Sequence, residues 1–496
     1  MKSKTLVFTA SLLAIAATVG CGSSGNLVLP TLNGNYSNAS LKGSYVYQVH
    51  GFDPSGTPYR QIGVFTADGN GNITGGTDDS SASASGTQVS GTYNVSKDGT
   101  GFITVSTSLG TVNWAITLAS ASQLQLIEAD GGANAGGTAE FQPPSAIAAA
   151  LNGTFVFRLH QEASAQNPNT QTPAAEVGSL TISGSSGTGS MDENVAGTFN
   201  AATNVTATFT AATGPGRGTG TLVNSSTSFT TNFVYYIVDI DKFVMLVSNP
   251  GAVGSGSAEL QNGAVSNGLS GNYAFGSRGD DGNFFAGIAT VGQFSASAGA
   301  ISGTEDISQD GNISSSVSIS SCYTTSASGR VVVTSSSGGT CSATTAQVFW
   351  MVSPSRAFFV GAGNSTTEDG TADLQTAQNF SLSTFTQQYS MAMDGIDLSQ
   401  TVAFGNELYS RVGALQFDGN GNLKLSEVVN ASGTGSGVNN PGLLTGTYTV
   451  GSNGRMVGTV NGGGLNLVMY AVSPSQAYVL QTDSGFTTSG QILLQQ

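Results

Sequence analysis

Few residues in this 496-residue chain are equipped for chemistry, so their positions matter. There are only two histidines, His50 and His160. Each stands nine residues after a leucine that opens a similar phrase, "LKGSYVY" from Leu41 and "LNGTFVF" from Leu151. Two further copies of the phrase, "LSGNYAF" from Leu269 and "FTQQYSM" from Phe385, place Arg278 and Asp394 at the same point. A polar group fixed at one point of a repeated strand could contact a ligand at a barrel mouth. The change of charge sign between copies instead favours solvated strand ends. One histidine in each of two copies does not build a His-based metal cluster within a domain, so neither metal nor other cofactor is expected.

Carboxylates recur more regularly. Asp78 and Asp79, Asp192 and Glu193, Glu305 and Asp306, then Glu427 all follow the same hairpin in their copies. They are the best polar site candidates, a rim that could hold a cation or a basic ligand. The competing reading is that they cap turns and accept backbone N–H bonds. "DGNGN" at 68–72 and 418–422 has the look of a calcium loop. Counting from Asp68, however, the sixth position is Ile73 and the twelfth Asp79, where an EF-hand needs Gly and Glu. A hairpin turn explains these residues. Neither Gly-x-Ser-x-Gly nor Gly-x-x-x-x-Gly-Lys occurs, and "GPGRGTG" at 214–220 lacks a strand–helix setting. No catalytic constellation is found, and the protein is read as a non-enzyme. "RGD" at 278–280 is short enough to arise by chance.

The elements that would position these residues are repeated too. The endings "GTAEFQ" (137–142), "GSAELQ" (256–261), "GTADLQ" (370–375) and the looser "GQILLQQ" match the four beginnings. Between them come a Gly-rich hairpin such as "VFTADGNGNITG", a strand such as "GTYNVSKDG", and a late apolar pair such as "FWMVSPSRAFFV". The pattern predicts an all-β protein of four tandem antiparallel meander domains, 41–142, 151–261, 269–375 and 385–496, each with about seven or eight strands. Hairpin-only connections favour an up-and-down β-barrel over a β-sandwich. In a closed barrel the first strand must pair with the last, which removes exposed edges and explains the paired beginnings and endings. The Gly-x-Tyr opening resembles that of small calycin-like ligand-binding barrels such as avidins and lipocalins. Alternating aromatics (Tyr45 and Tyr47, Phe155 and Phe157, Tyr273 and Phe275) are expected to fill the interiors.

The ends of the chain suggest an address. Lys2 and Lys4 precede an apolar run from Thr5 to Val19, too short to span a bilayer as a helix. The run closes in "ATVGC", which resembles the lipobox of bacterial lipoproteins. That resemblance implies a signal peptide over 1–20, lipidation of Cys21, a flexible tether over 21–40 and, with Gly22 next, the outer membrane; plain secretion is the alternative. Charged residues make up only 9% of the chain, and its net charge of −15 becomes −17 without Lys2 and Lys4. With no basic run, nucleic acid is an implausible partner.

The remaining cysteines, Cys322 and Cys341, lie two hairpin connections apart and are expected to form a disulfide in an oxidising compartment. The polar positions drift between copies, which fits a scaffold better than four intact sites. The expected function is therefore a structural or interaction protein, anchored to the membrane by its N-terminal lipid and meeting a protein or glycan. The alternative is a barrel carrier for a small molecule or glycan.

Overall fold

Alternating apolar and polar residues, punctuated by Gly, Asn and Ser turns, give each copy one apolar sheet face that it can bury by curling on itself. The computed structural model describes residues 32–496, apart from 54, 131–132, 148–149, 167–171, 284–285, 338, 378, 403–404, 432–436 and 462–463. Each copy forms a closed ring of eight antiparallel strands in hairpin order. Barrel I runs from Lys42–Phe52 to Asn134–Gln142 and barrel II from Asn152–Ala163 to Val253–Leu260. Barrel III runs from Gly271–Asn283 to Thr367–Leu374 and barrel IV from Gln388–Val402 to Phe486–Leu494. The fourth strand is continuous in barrel II (Thr198–Phe209) and broken in barrel I (Ser83–Gln88, Ser90–Val95) and barrel IV (Gly437–Asn439, Leu443–Val450).

First and last strands pair in every barrel. Tyr45 lies opposite Phe141, Phe155 opposite Leu260, Tyr273 opposite Leu374 and Tyr389 opposite Leu494. The repeated beginnings and endings are thus the two sides of one seam.

The lumens are filled. Tyr45, Tyr47, Phe65 and Trp114 pack inside barrel I, and Phe155, Phe157, Phe209 and Phe243 inside barrel II. Tyr273, Phe275, Phe294 and Phe359 occupy barrel III, and Tyr389, Phe417, Tyr448 and four methionines (391, 393, 456 and 469) occupy barrel IV. An apolar void inside barrel II measures about 10 Å³, room for one water at most. The segment preceding each barrel packs on that barrel's core: Tyr36 on I, Ala146 on II, Val265 on III and Phe380 on IV.

The local turns follow their chemistry. Asp68 accepts hydrogen bonds from the backbone N–H of Asn70 and Asn72 and from Asn72 Nδ2 at 2.7–3.0 Å, and these bonds, from Asn72 first, hold its carboxyl at about 2. Gly69 and Gly71 sit at φ +83° and +105°, which only glycine adopts without strain. Asp418 repeats the arrangement in barrel IV. Cys322 and Cys341 are disulfide-bonded on one side of barrel III, with Cα atoms 5.7 Å apart. Cys21 and the signal-like segment lie outside the described residues. The stretch read as a tether lies against barrel I from Leu32 onward: the Leu32 N–H donates to Asp98 Oδ2 at 3.0 Å, and Tyr36 Oη donates to the Ala119 carbonyl at 3.1 Å.

Candidate functional site

Outward-facing residues of the first three strands pack on the sixth and seventh strands of the next barrel. Val46, Ile62 and Val64 of barrel I meet Val234, Tyr236 and Leu246 of barrel II. Val156 and Val177 of barrel II meet Val348, Trp350 and Val360 of barrel III, and Ala274 and Val291 of barrel III meet Val468, Tyr470 and Leu480 of barrel IV. Val412 and Val428 of barrel IV then meet Ala115 and Ile127 of barrel I. The four barrels therefore close into a ring.

The terminal glutamine of each repeated ending belongs to this ring. The amide nitrogen of Gln142 donates to the carbonyls of Ile237 and Pro215, at 2.5 and 2.9 Å. Gln261 does the same to Met351 and Ser328, and Gln375 to Ala471 and Asn453. Gln495 returns to barrel I, donating to Leu118 and Asp98 carbonyls at 2.8 Å each. In sequence this motif shows only its part in the barrel seam. Its unvarying Gln, facing away from the lumen, was the available sign of a second role.

The seven candidate carboxylates do not share one rim. Asp79, Asp192 and Asp306 face the next barrel and are fully buried. Arg217 grips Asp79 with two nitrogens at 2.7 and 2.8 Å, and Tyr236 Oη donates to it at 2.6 Å. Arg330 and Trp350 Nε1 hold Asp192 in the same way, and Arg455 and Tyr470 hold Asp306. At the closing interface the register puts Val428 where these aspartates stand, with Thr100 and Thr117 in place of the arginine and aromatic residue. Three interfaces carry this buried ion pair; the fourth has Val428 with two threonines there, and Asn134 and Asn430 instead donate to backbone carbonyls across it.

The other four carboxylates point to barrel interiors. Asp78 accepts bonds from Tyr47 Oη and from Gln61 Nε2, and burial lifts it to about 6 despite those bonds. Glu193 accepts from Asn200 and Asn224 at 3.1 and 3.0 Å. Glu305 is raised to about 7 by burial and then by Glu368. Glu427 pairs with Arg411 at 3.2 Å, yet burial still raises it. Asp78, Glu193 and Glu427 meet these local donors, and Glu305 stands half-buried beside Glu368.

The first strands of all four barrels converge on the ring axis, bringing His50, His160, Arg278 and Asp394 together. They are not separate solvated strand ends. Arg278 Nη1 lies 2.6 Å from Asp394 Oδ2 and 2.9 Å from His50 Nε2, and His50 Nε2 lies 3.2 Å from Asp394. Burial opposes ionisation of Asp394, but Arg278 and His50 hold its carboxyl below the ordinary range.

Beside them His160 Nδ1 lies 2.6 Å from Asp369 Oδ1, and its Nε2 faces Glu162 Oε1 at 3.4 Å and Asp280 Oδ2 at 3.7 Å. Arg60 Nη2 reaches Glu162 at 2.6 Å, and Arg158 Nε reaches Asp369 at 3.3 Å. Burial opposes the imidazolium, but Asp369 and Glu162 outweigh it and push His160 to about 10. Asp280 is raised by its burial and by Glu162. His160, Glu162 and Asp280 are the described residues grouped closely enough to hold a metal ion, and they come from two barrels.

These features define an all-β protein whose four closed barrels form one ring around a charged axis. No family model matches the chain, and no curated protein matches it. Among solved structures it is similar to intact Ap-TbpB with N and C lobes, at 10% identity over 77% of this chain and 86% of that one, with a TM-score of 0.19. It is also similar to the isotype 1 transferrin binding protein B from serogroup B Neisseria meningitidis, at 8% identity over 75% and 83% of the two chains, TM-score 0.20. A superposition this loose transfers no property of those proteins to this chain.

Proposed function

We propose that the chain is an exported, non-catalytic structural or interaction protein, held at the outer membrane by a lipid on Cys21, that presents its four-barrel ring as one platform to a protein or glycan partner. The filled lumens carry this reading against the carrier alternative. Ligand pockets are typically about 300–1,000 Å³, whereas the void inside barrel II is about 10 Å³; the space of about 450 Å³ beside Thr208, Thr219 and Ser248 is a groove open to solvent. The interfaces support it as well. Apolar faces and recurrent glutamine bonds tie each barrel to the next, with a buried ion pair at three of the four interfaces, so an attached surface would be held at fixed spacing.

The test is extraction of the full-length protein from its native membrane, followed by denaturation and mass spectrometry of what is released. The expected result is an acylated N-terminal Cys21 and no stoichiometric small molecule. A tightly held small molecule would overturn the platform reading in favour of the carrier. A mature chain beginning elsewhere would remove the anchor.

A further inference from the structure

The axial cluster places an imidazole nitrogen and two carboxylate oxygens around one point. We infer that His160, Glu162 and Asp280 form a binding site for a divalent transition metal of the zinc class, at the junction of barrels I, II and III.

The geometry supports this directly. Ligand atoms bound at about 2.0–2.2 Å in tetrahedral zinc sites lie a little over 3 Å apart. His160 Nε2 is 3.4 Å from Glu162 Oε1 and 3.7 Å from Asp280 Oδ2, close to that spacing, and the proton that the carboxylates hold on His160 would leave as the ion binds. All three ligand atoms lie within 4.8 Å of one another. The outer partners are also in place. A metal-bound histidine usually gives its other ring N–H to a carboxylate, which fixes the tautomer and aims the free nitrogen. Asp369 occupies that place on Nδ1 at 2.6 Å, and Arg158 in turn steadies Asp369 at 3.3 Å.

Asp280 Oδ2 is buried with no donor in hydrogen-bond reach among the described residues, a position that a proton shared with Glu162 or a bound cation relieves. Arg60 holds Glu162 Oε1 at 2.6 Å, but a carboxylate has four lone-pair sites and can accept that bond while it ligates. The side chains of His160, Glu162 and Asp280 are 19%, 12% and 19% exposed. Imidazole with carboxylate suits zinc, cobalt or nickel better than magnesium or calcium, which prefer oxygen alone.

The other histidine provides an internal control. His50 faces Arg278 at 2.9 Å, a cation where a metal would need a second ligand. The inference does not depend on the platform reading, because an interaction protein or a carrier could hold the same ion.

The experiment is titration of the metal-stripped full-length protein with Co²⁺, followed by visible absorption, and with Zn²⁺, followed by calorimetry, with Mg²⁺ and Ca²⁺ as further arms. One Co²⁺ or Zn²⁺ per chain is expected. His160→Asn should weaken binding at least 100-fold, Asp280→Asn should weaken it markedly, and Asp369→Asn should weaken it about 10–100-fold. His50→Asn should leave it unchanged. Circular dichroism melts of each variant establish that the fold is retained, and Asp280→Asn serves if His160→Asn does not fold. Absence of saturable binding, equal binding of Ca²⁺, or unaltered affinity in a folded Asp280→Asn or His160→Asn protein would overturn the assignment.

Discussion

The II–III interface offers a sharp test because it contains one of the chain's two tryptophans. Asp192 is fully buried and accepts two nitrogens of Arg330 at 2.7 and 2.5 Å, Trp350 Nε1 at 2.8 Å and the Ala202 N–H at 2.9 Å. Arg330→Met keeps most of the side-chain volume but removes the positive charge. Breaking one side of a buried pair costs about 3–5 kcal/mol. Two neutral donors remain on Asp192, so the low end, about 3 kcal/mol, is expected.

The closing interface suggests the rescue, since Val428 stands there where the other three interfaces have aspartate. Asp192→Val combined with Arg330→Met removes the stranded charge. Trp350 Nε1 and the Ala202 N–H then lose their acceptor; Ala202 is exposed and can turn to water, so about 1–2 kcal/mol of the loss, from Trp350, should persist. The double variant is therefore expected to be more stable than Arg330→Met alone. Urea unfolding followed by Trp350 fluorescence, in a Trp114→Phe background to isolate the signal, measures both effects. If the double variant is no more stable than the single one, buried-charge pairing is not what holds this interface. A single-variant loss below about 1 kcal/mol would refute the reasoning equally.

Two further outcomes follow from a buried glutamate in barrel II and the disulfide of barrel III. Glu176 is buried and raised to about 8, first by desolvation and then by Glu193, while Gln161 donates to it at 2.6 Å. An unfolded glutamate titrates near 4.3, so between about pH 4.5 and 8 the unfolded chain has released a proton that the folded barrel retains. Stability should fall as pH rises through that window. Glu176→Gln, which keeps an acceptor for Gln161, should flatten the fall and raise the melting temperature at pH 8; an unchanged slope in melts from pH 4 to 9 counts against the assignment. The Cys322–Cys341 bridge spans 19 residues of chain, so its loss should cost barrel III about 3 kcal/mol. Cys322→Ser with Cys341→Ser should lower the Trp350 unfolding transition, and adding a reductant should then have no further effect; identical transitions with and without the bridge would contradict this.

The sequence alone determined the parts of this protein that depend on neighbouring residues. Strand alternation, the Asp-Gly-Asn-Gly-Asn turns, the aromatic lumens and the pairing of first with last strands all follow from local stereochemistry and the need to close sheet edges. The cysteine pair was legible for a related reason, since two hairpins bring both residues to one side of one barrel.

The ring and its axis were decided only by tertiary structure. They arise from outward-facing residues in separate copies, whose contacts leave no periodic trace within any one copy. Asp192 and Arg330 are separated by 138 residues, and each by itself reads as an ordinary polar strand residue. The axial position was the most misleading. Histidine, histidine, arginine and aspartate at one equivalent place looked like drift between independent barrels. In the folded ring these four positions converge, where four like charges would repel one another in a partly buried space. Their differences allow Arg278 to bridge Asp394 and His50, and leave His160 to the carboxylates beside it.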